Sequence, residues 1–145
     1  MGSPFYFATT QVLELYTSHG CDSCPPADTW FRTLAAWPGL WRDLIPLAFH
    51  VDYWDGPAWR DRFSAAEYGQ RQQSYHAAGA VRTIVTPGFV LAGREWKGWY
   101  DEQPLEITPG PGVGRLKLVV EPGREVGLSF QPEAALPFGE LTAQL

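Results

Sequence analysis

Val12-Leu13-Glu14-Leu15-Tyr16-Thr17-Ser18-His19-Gly20-Cys21-Asp22-Ser23-Cys24-Pro25-Pro26 is the stretch on which the fold turns. Val12 to Tyr16, apolar except for Glu14, have the composition of a buried strand. Thr17-Ser18-His19-Gly20 turns the chain. Pro25 and Pro26 suit the first turn of a helix, where N–H groups lack intrahelical acceptors. Trp30, Phe31, Leu34 and Trp37 then recur at helical spacing until Pro38-Gly39 stops the helix. Cys21 and Cys24 are the 2 cysteines of the 145 residues. Scattered at random, two cysteines fall three apart in about one chain in seventy of this length, so the spacing calls for a chemical reason.

Outward from this stretch, Leu44 to Val51 reads as a second apolar strand, leading into His50-Val51-Asp52-Tyr53-Trp54-Asp55. A second helix is expected to start at a capping box of Ser64 and Glu67, with Phe63 and Tyr68 as hydrophobic staple, and to stop at Gly79. Thr86-Pro87 precedes a short buried strand, Gly88 to Leu91, which Ala92-Gly93-Arg94 turns into Glu95 to Tyr100 as a hairpin. Strands alternating with helices imply an α/β domain, with a parallel central sheet and helices on both faces. Gln103 to Gly114 holds three prolines and three glycines and reads as a linker or long loop. Beyond it, Leu116, Leu118 and Val120 alternate with polar positions, as do Val126, Leu128 and Phe130, with Pro122-Gly123 suited to a type II turn between them. That is a β-hairpin appended to the first domain. The expected division is residues 1–102 and residues 103–145.

Composition sets outer limits. With 45% hydrophobic and 19% charged residues the chain has the profile of a globular domain. A net charge of −5 and the lack of any basic run argue against nucleic acid and anionic membranes as partners. No apolar stretch reaches membrane-spanning length. Met1 to Thr10 lack the charged start and long apolar run of an export signal.

Four motifs, in order, resemble the bacterial thioredoxin-like family catalogued as domain of unknown function 1223. They are Val12 to Ser18 with Gly20 to Asp28, then Ala48 to Asp55, Arg71-Gln72-Gln73-Ser74-Tyr75, and Thr86-Pro87. The resemblance covers most of residues 11 to 100, and more loosely the β-rich tail. It implies a thioredoxin-like fold, a mixed sheet flanked by helices, in an exported or periplasmic protein. It also implies that the chain ends partway through the tail, since other members continue further. It implies no activity.

The chemistry is read from the residues. In a Cys-x-x-Cys pair one thiolate attacks a substrate disulfide and the second sulfur resolves the mixed disulfide. Cys21, ahead of a helix N-terminus whose dipole favours a thiolate, is the expected nucleophile, and Cys24 the resolving thiol. A structural disulfide or two inert thiols are the alternatives, and the strand–turn–helix context favours redox chemistry. Asp22 opposes a Cys21 thiolate, and the two prolines remove N–H donors and disfavour helical geometry at Cys24. A couple more reducing than a strong oxidase is expected. In thioredoxin-like folds a cis-proline precedes the strand beside the Cys-x-x-Cys helix, which fits Pro87, and the preceding Thr86 would offer backbone to substrate. Glu14 is either a buried base for Cys24 or an edge residue facing solvent. His50, Asp52 and Trp54, at the carboxyl end of the second strand, would line a substrate groove or tune the thiols, or the aromatic residues there would cap the core. Arg71, Gln72 and Tyr75 read as surface residues, and His76 as compensating the helix dipole.

The leading expectation is a cofactor-free thiol–disulfide oxidoreductase acting on protein or small-molecule disulfides. Its alternatives are a copper or zinc module using His19, Cys21, Cys24 and His50, and a non-catalytic interaction module.

Overall fold

A computed structural model describes residues 9–108, 110–119, 123 and 126–134. In chain order the elements are β1 (Gln11–Thr17), α1 (Pro25–Thr33) continued by a 3-10 turn (Leu34–Ala36), β2 (Leu44–His50), α2 (Ala66–Ala77), β3 (Gly88–Leu91), β4 (Arg94–Glu95), β5 (Gly114–Val119) and β6 (Gly127–Pro132). The described residues of Thr10–Pro109 form one compact unit, and those of Met1–Thr9 with Gly110–Leu145 form another.

The first unit is mixed α/β, with a four-stranded sheet in the order β2-β1-β3-β4. β1 runs parallel to β2, from Gln11 opposite Leu44 to Thr17 opposite His50, and antiparallel to β3, with Leu13 opposite Leu91. The sheet is therefore mixed, not wholly parallel, because the β3–β4 hairpin returns antiparallel to β1. Alternation along β1 feeds two cores. Leu13 and Leu15 pack with Ala27 and Leu34, and with Trp30 and Phe31 of α1. Tyr16 points the other way, into a cluster with Val51, Val81 and Val90 and with Tyr75 of α2. One helix thus covers each face of the central strand.

Local signals place the ends of these elements, with two corrections. The capping box does not form: α2 has Ala65 as N-cap without a side-chain cap, and the Ser64 hydroxyl donates instead to Asp55 Oδ2 at 2.5 Å. Nor do Phe63 and Tyr68 staple, since Phe63 meets the His19 and His50 rings while Tyr68 tilts against Phe49. Gly79 does end α2. At φ 74° it donates to His76 O and the next N–H, of Ala80, reaches back to Tyr75 O, the paired bonds of a Schellman motif. The β3–β4 turn has Ala92 at φ 49° and Gly93 at φ 80°, as a two-residue hairpin with positive φ at both places requires.

Part of the proline- and glycine-rich stretch is core. Leu105 is buried in the α1-side cluster with Ile107 packed against it, and Gln11 Nε2 donates to Thr108 O at 2.6 Å. In the second unit β5 and β6 pair antiparallel, Leu116 opposite Phe130. Gly123 has φ 75°, the sign that the third position of a type II turn needs. Val120 and Pro122 lie outside the described residues.

Candidate functional site

Cys21 and Cys24 form a disulfide, with their Cα atoms 5.4 Å apart. Cys24 is the N-cap of α1, followed by the two prolines at N1 and N2. Against expectation its backbone is helical, φ −81° and ψ −31°. Its N–H donates to Cys21 O at 3.3 Å and its carbonyl accepts from Asp28 N–H at 3.0 Å, and these bonds offset the preference that Pro25 imposes. Cys21 sits three residues upstream in a turn, its N–H bound to Ser18 O at 3.2 Å. Both are buried, Cys21 at 2% exposure and Cys24 at 0%.

Cys21 Sγ lies 3.4 Å from Ser23 Oγ and 3.6 Å from Thr86 O. A carbonyl can accept from a protonated thiol but not from a disulfide or a thiolate, so the second contact becomes a hydrogen bond only after reduction. The Thr86–Pro87 peptide bond is cis. Trp54 Nε1 donates to Thr86 Oγ1 at 2.7 Å, with the indole about half exposed. A side chain at Gly20 would press on Trp54 Cβ and Trp59 Cζ3, each 3.1 Å from the Cβ position, so glycine there permits the close approach of the loop. A cavity of about 550 Å³ opens beside Thr86, with Gln72, Phe89 and Tyr100 in its wall. Cys21, Trp54, Thr86 and Pro87 therefore come together.

Gln72, read from the sequence as a surface residue, is buried and holds this segment. It donates from Nε2 to Val85 O at 2.8 Å, and accepts from the Tyr53 hydroxyl at 3.0 Å. The Tyr100 hydroxyl donates to Pro87 O on the other side. A polar residue on a polar helix carries no local sign of burial, so neither contact could be read from the chain.

Glu14 is buried, yet it does not face the cysteines. It points to the α2 side of β1, where Arg71 donates to Oε1 from Nε at 2.8 Å and also from a terminal nitrogen, and the Tyr16 hydroxyl donates to Oε2 at 3.1 Å. Burial and the Glu14 charge push the Tyr16 hydroxyl far up. Burial works against the Arg71 charge, and Glu14 more than offsets it, leaving that guanidinium raised. Since Cys24 caps the helix on the opposite face, the expectation of Glu14 as its base is corrected. The acid on the α1 side is Asp28, one helical turn beyond Cys24, whose Oδ1 accepts from Thr17 Oγ1 at 2.7 Å.

His50 and Asp52 also separate. Asp52 Oδ1 lies against Gly69 of α2, 3.0 Å from where a Cβ would be. The His50 Nδ1 pairs with Asp61 Oδ2 at 2.6 Å, and the His19 ring stands edge-on to it. Asp61 is fully buried. Burial pushes its carboxyl up, but the N–H groups of His19 and Phe63 and the His50 ring outweigh this and hold it at about 2. The four-residue metal set expected from sequence does not assemble as such: the sulfurs are bonded to each other, and among the described residues the donors that converge are His19, His50 and Asp61. Among the described residues no helix is long and apolar enough to cross a membrane.

A mixed α/β domain with a Cys-x-x-Cys disulfide at the N-terminus of its first helix defines the class. The chain belongs to the DUF1223 family, proteins of unknown function, whose model matches residues 12–108. It is also similar to a crystal structure of protein AGR_C_4864 from Agrobacterium tumefaciens, at 36% identity and a TM-score of 0.51, over 66% of this chain and 44% of that one. The chain thus spans less than half the length of that relative. No functionally curated protein matches.

Proposed function

We infer that this domain is a thioredoxin-like thiol–disulfide oxidoreductase, with Cys21 as nucleophile and Cys24 as resolving thiol. The observation that carries this reading is the contact of Cys21 Sγ with Thr86 O beside the cis Thr86–Pro87 bond. With that contact, a nucleophilic Cys21 would act next to backbone on which an extended substrate could lie. The sheet order β2-β1-β3-β4, with the Cys-x-x-Cys helix between β1 and β2 and the cis-proline opening β3, supports the thioredoxin-like fold.

In the reductive direction the Cys21 thiolate attacks one sulfur of the substrate disulfide, forming a mixed disulfide and releasing the other sulfur as a thiolate. Cys24, losing its proton, attacks Cys21 Sγ, and the second substrate thiolate leaves. Two electrons pass to the substrate and the Cys21–Cys24 disulfide forms. A dithiol donor returns the pair to its reduced state. Asp28 is the acid suited to take the Cys24 proton, being the carboxylate one turn along the same helix. Trp54 and Thr86 bind substrate; His50 and Asp52 lie outside this contact set.

The test is reduction of insulin by a dithiol, catalysed by the full chain. Wild type is expected to accelerate it, Cys21→Ser to lose about a hundredfold or more, and Cys24→Ser to accumulate a mixed disulfide with substrate. Equal rates for wild type and Cys21→Ser would overturn the reading.

A further inference from the structure

The loop between β2 and α2 gathers three side chains that the dithiol chemistry does not use. His50 ends β2, His19 lies in the turn before Cys21, and Asp61 lies in the loop itself. Their ligand atoms are all within 4.8 Å of one another. His50 Nδ1 is 2.6 Å from Asp61 Oδ2, and His19 Nδ1 is 3.6 Å from Asp61 Oδ1.

The carboxylate is at the bottom of the cluster and the imidazoles at its mouth: the Asp61 side chain is 0% exposed, His50 17% and His19 47%. Backbone fixes its orientation, through the N–H groups of His19 at 2.8 Å and Phe63 at 3.0 Å. The loop is folded under it by Asp55, which accepts from Asp61 N–H at 2.9 Å. The flanking arginines do not serve Asp61. Arg60 pairs with Asp55 at 3.5 Å, and the Arg62 guanidinium lies 4.8 Å over the Phe63 ring. Among the described residues, the basic side chains within 4.0 Å of this buried carboxylate are the two imidazoles alone. A cation among these groups would add to the backbone donors in compensating the buried carboxylate.

The spacing suits a metal. Tetrahedral zinc, with bonds of about 2.0–2.1 Å, sets its donor atoms about 3.4 Å apart. The 3.6 Å between His19 and Asp61 is close to that, and the 2.6 Å between His50 and Asp61 is a hydrogen bond that opens when a metal replaces its proton. Two nitrogens and one oxygen form a borderline donor set, unlike the all-oxygen shells of calcium and magnesium or the sulfur shells of copper(I).

We propose that His19, His50 and Asp61 bind one divalent transition cation of the zinc class, with water completing the shell. The site is separate from the disulfide and does not depend on the oxidoreductase reading. His19 N–H and Cys21 N–H lie on the same turn, so the cation would brace the segment that carries the nucleophile.

Zinc titration by calorimetry, on the full chain without a histidine tag and with the disulfide oxidised, tests the site. One equivalent is expected to bind with a Kd of about 1 μM or tighter. The Cys21→Ser/Cys24→Ser double variant should keep that affinity, and His19→Gln and His50→Gln should each weaken it about tenfold or more. His19→Gln is the safer variant because that side chain is half exposed, and circular dichroism checks its fold. Cobalt(II) should give ligand-field bands without sulfur charge transfer. Absence of saturable binding, undiminished binding in both histidine variants, or binding that disappears with the cysteines and carries a sulfur band would each overturn the proposal.

Discussion

Gln72 of α2 donates to Val85 O at 2.8 Å and so ties that helix to the segment that runs into the cis Thr86–Pro87 bond. The bond spans 13 residues of sequence, and it sets the height at which Thr86 O meets Cys21 Sγ. Gln72→Leu removes this amide and leaves both Val85 O and the Tyr53 hydroxyl without their partner. A loss of about 2 kcal/mol is expected in urea unfolding. Insulin reduction should fall with it, in kcat/KM, because Thr86 is no longer held.

Arg71→Met leaves the Glu14 carboxylate buried without its counter-charge. The expected cost is about 3 kcal/mol, at the low end for a buried pair because the Arg71 side chain is 39% exposed. Glu14→Gln/Arg71→Met should recover most of that loss. Activity per folded molecule is expected to stay near wild type in the double variant, since the pair faces α2 and not the cysteines. A Glu14 variant that folds normally but stalls at the mixed disulfide would restore Glu14 as the base.

Much of the candidate site around the disulfide was legible in the chain because its signals are local. A strand, a glycine turn, two cysteines and two prolines lie within a few residues, and Thr-Pro ahead of a short apolar run marks the second half. Partners set by distance were not legible. Arg71 and Glu14 are 57 residues apart, and Asp61 and His19 are 42 apart. Asp61, between Arg60 and Arg62, has the look of a solvated charge. The Ser64 capping box failed because a carboxylate nine residues upstream took the hydroxyl. Leu105, flanked by Pro104 and Glu106, gives no periodic sign of the core it enters.

Asp61 makes acid stability a direct readout. Its carboxyl sits at about 2 in the folded chain against an ordinary 3.8, so the folded state favours the charged form. The resulting stabilisation is fully present above pH 3.8 and is lost as pH falls towards 2. It amounts to about 2 kcal/mol. Urea unfolding from pH 6 down to pH 2 in the presence of a chelator should show this decline, and Asp61→Asn should flatten it. Parallel curves for the two proteins would contradict the assignment.

The Cys21–Cys24 couple is expected to be reducing, with a midpoint nearer that of thioredoxin, about −270 mV, than that of DsbA, about −120 mV. Pro25 and Pro26 take two N–H groups out of the first turn, and Thr86 O can hold a proton on Cys21 but repels a thiolate. Both effects weaken the stabilisation of the reduced pair on which a strong oxidase relies. Equilibration against glutathione buffers, followed by the mass of the alkylated protein, measures the midpoint. A value above about −150 mV would sink this expectation.

Cys21, the proposed nucleophile, shows 2% of its surface and Cys24 none. Burial of this degree leaves little of either sulfur open to direct attack by a small thiol in solution. If Cys21 is the nucleophile, exchange favours a molecule able to settle along Thr86 and bring its own sulfur into line. On the oxidoreductase reading, the rate of exchange at this pair would then depend on how well a partner fits the Thr86 segment, while its equilibrium position still follows the surrounding thiol–disulfide ratio.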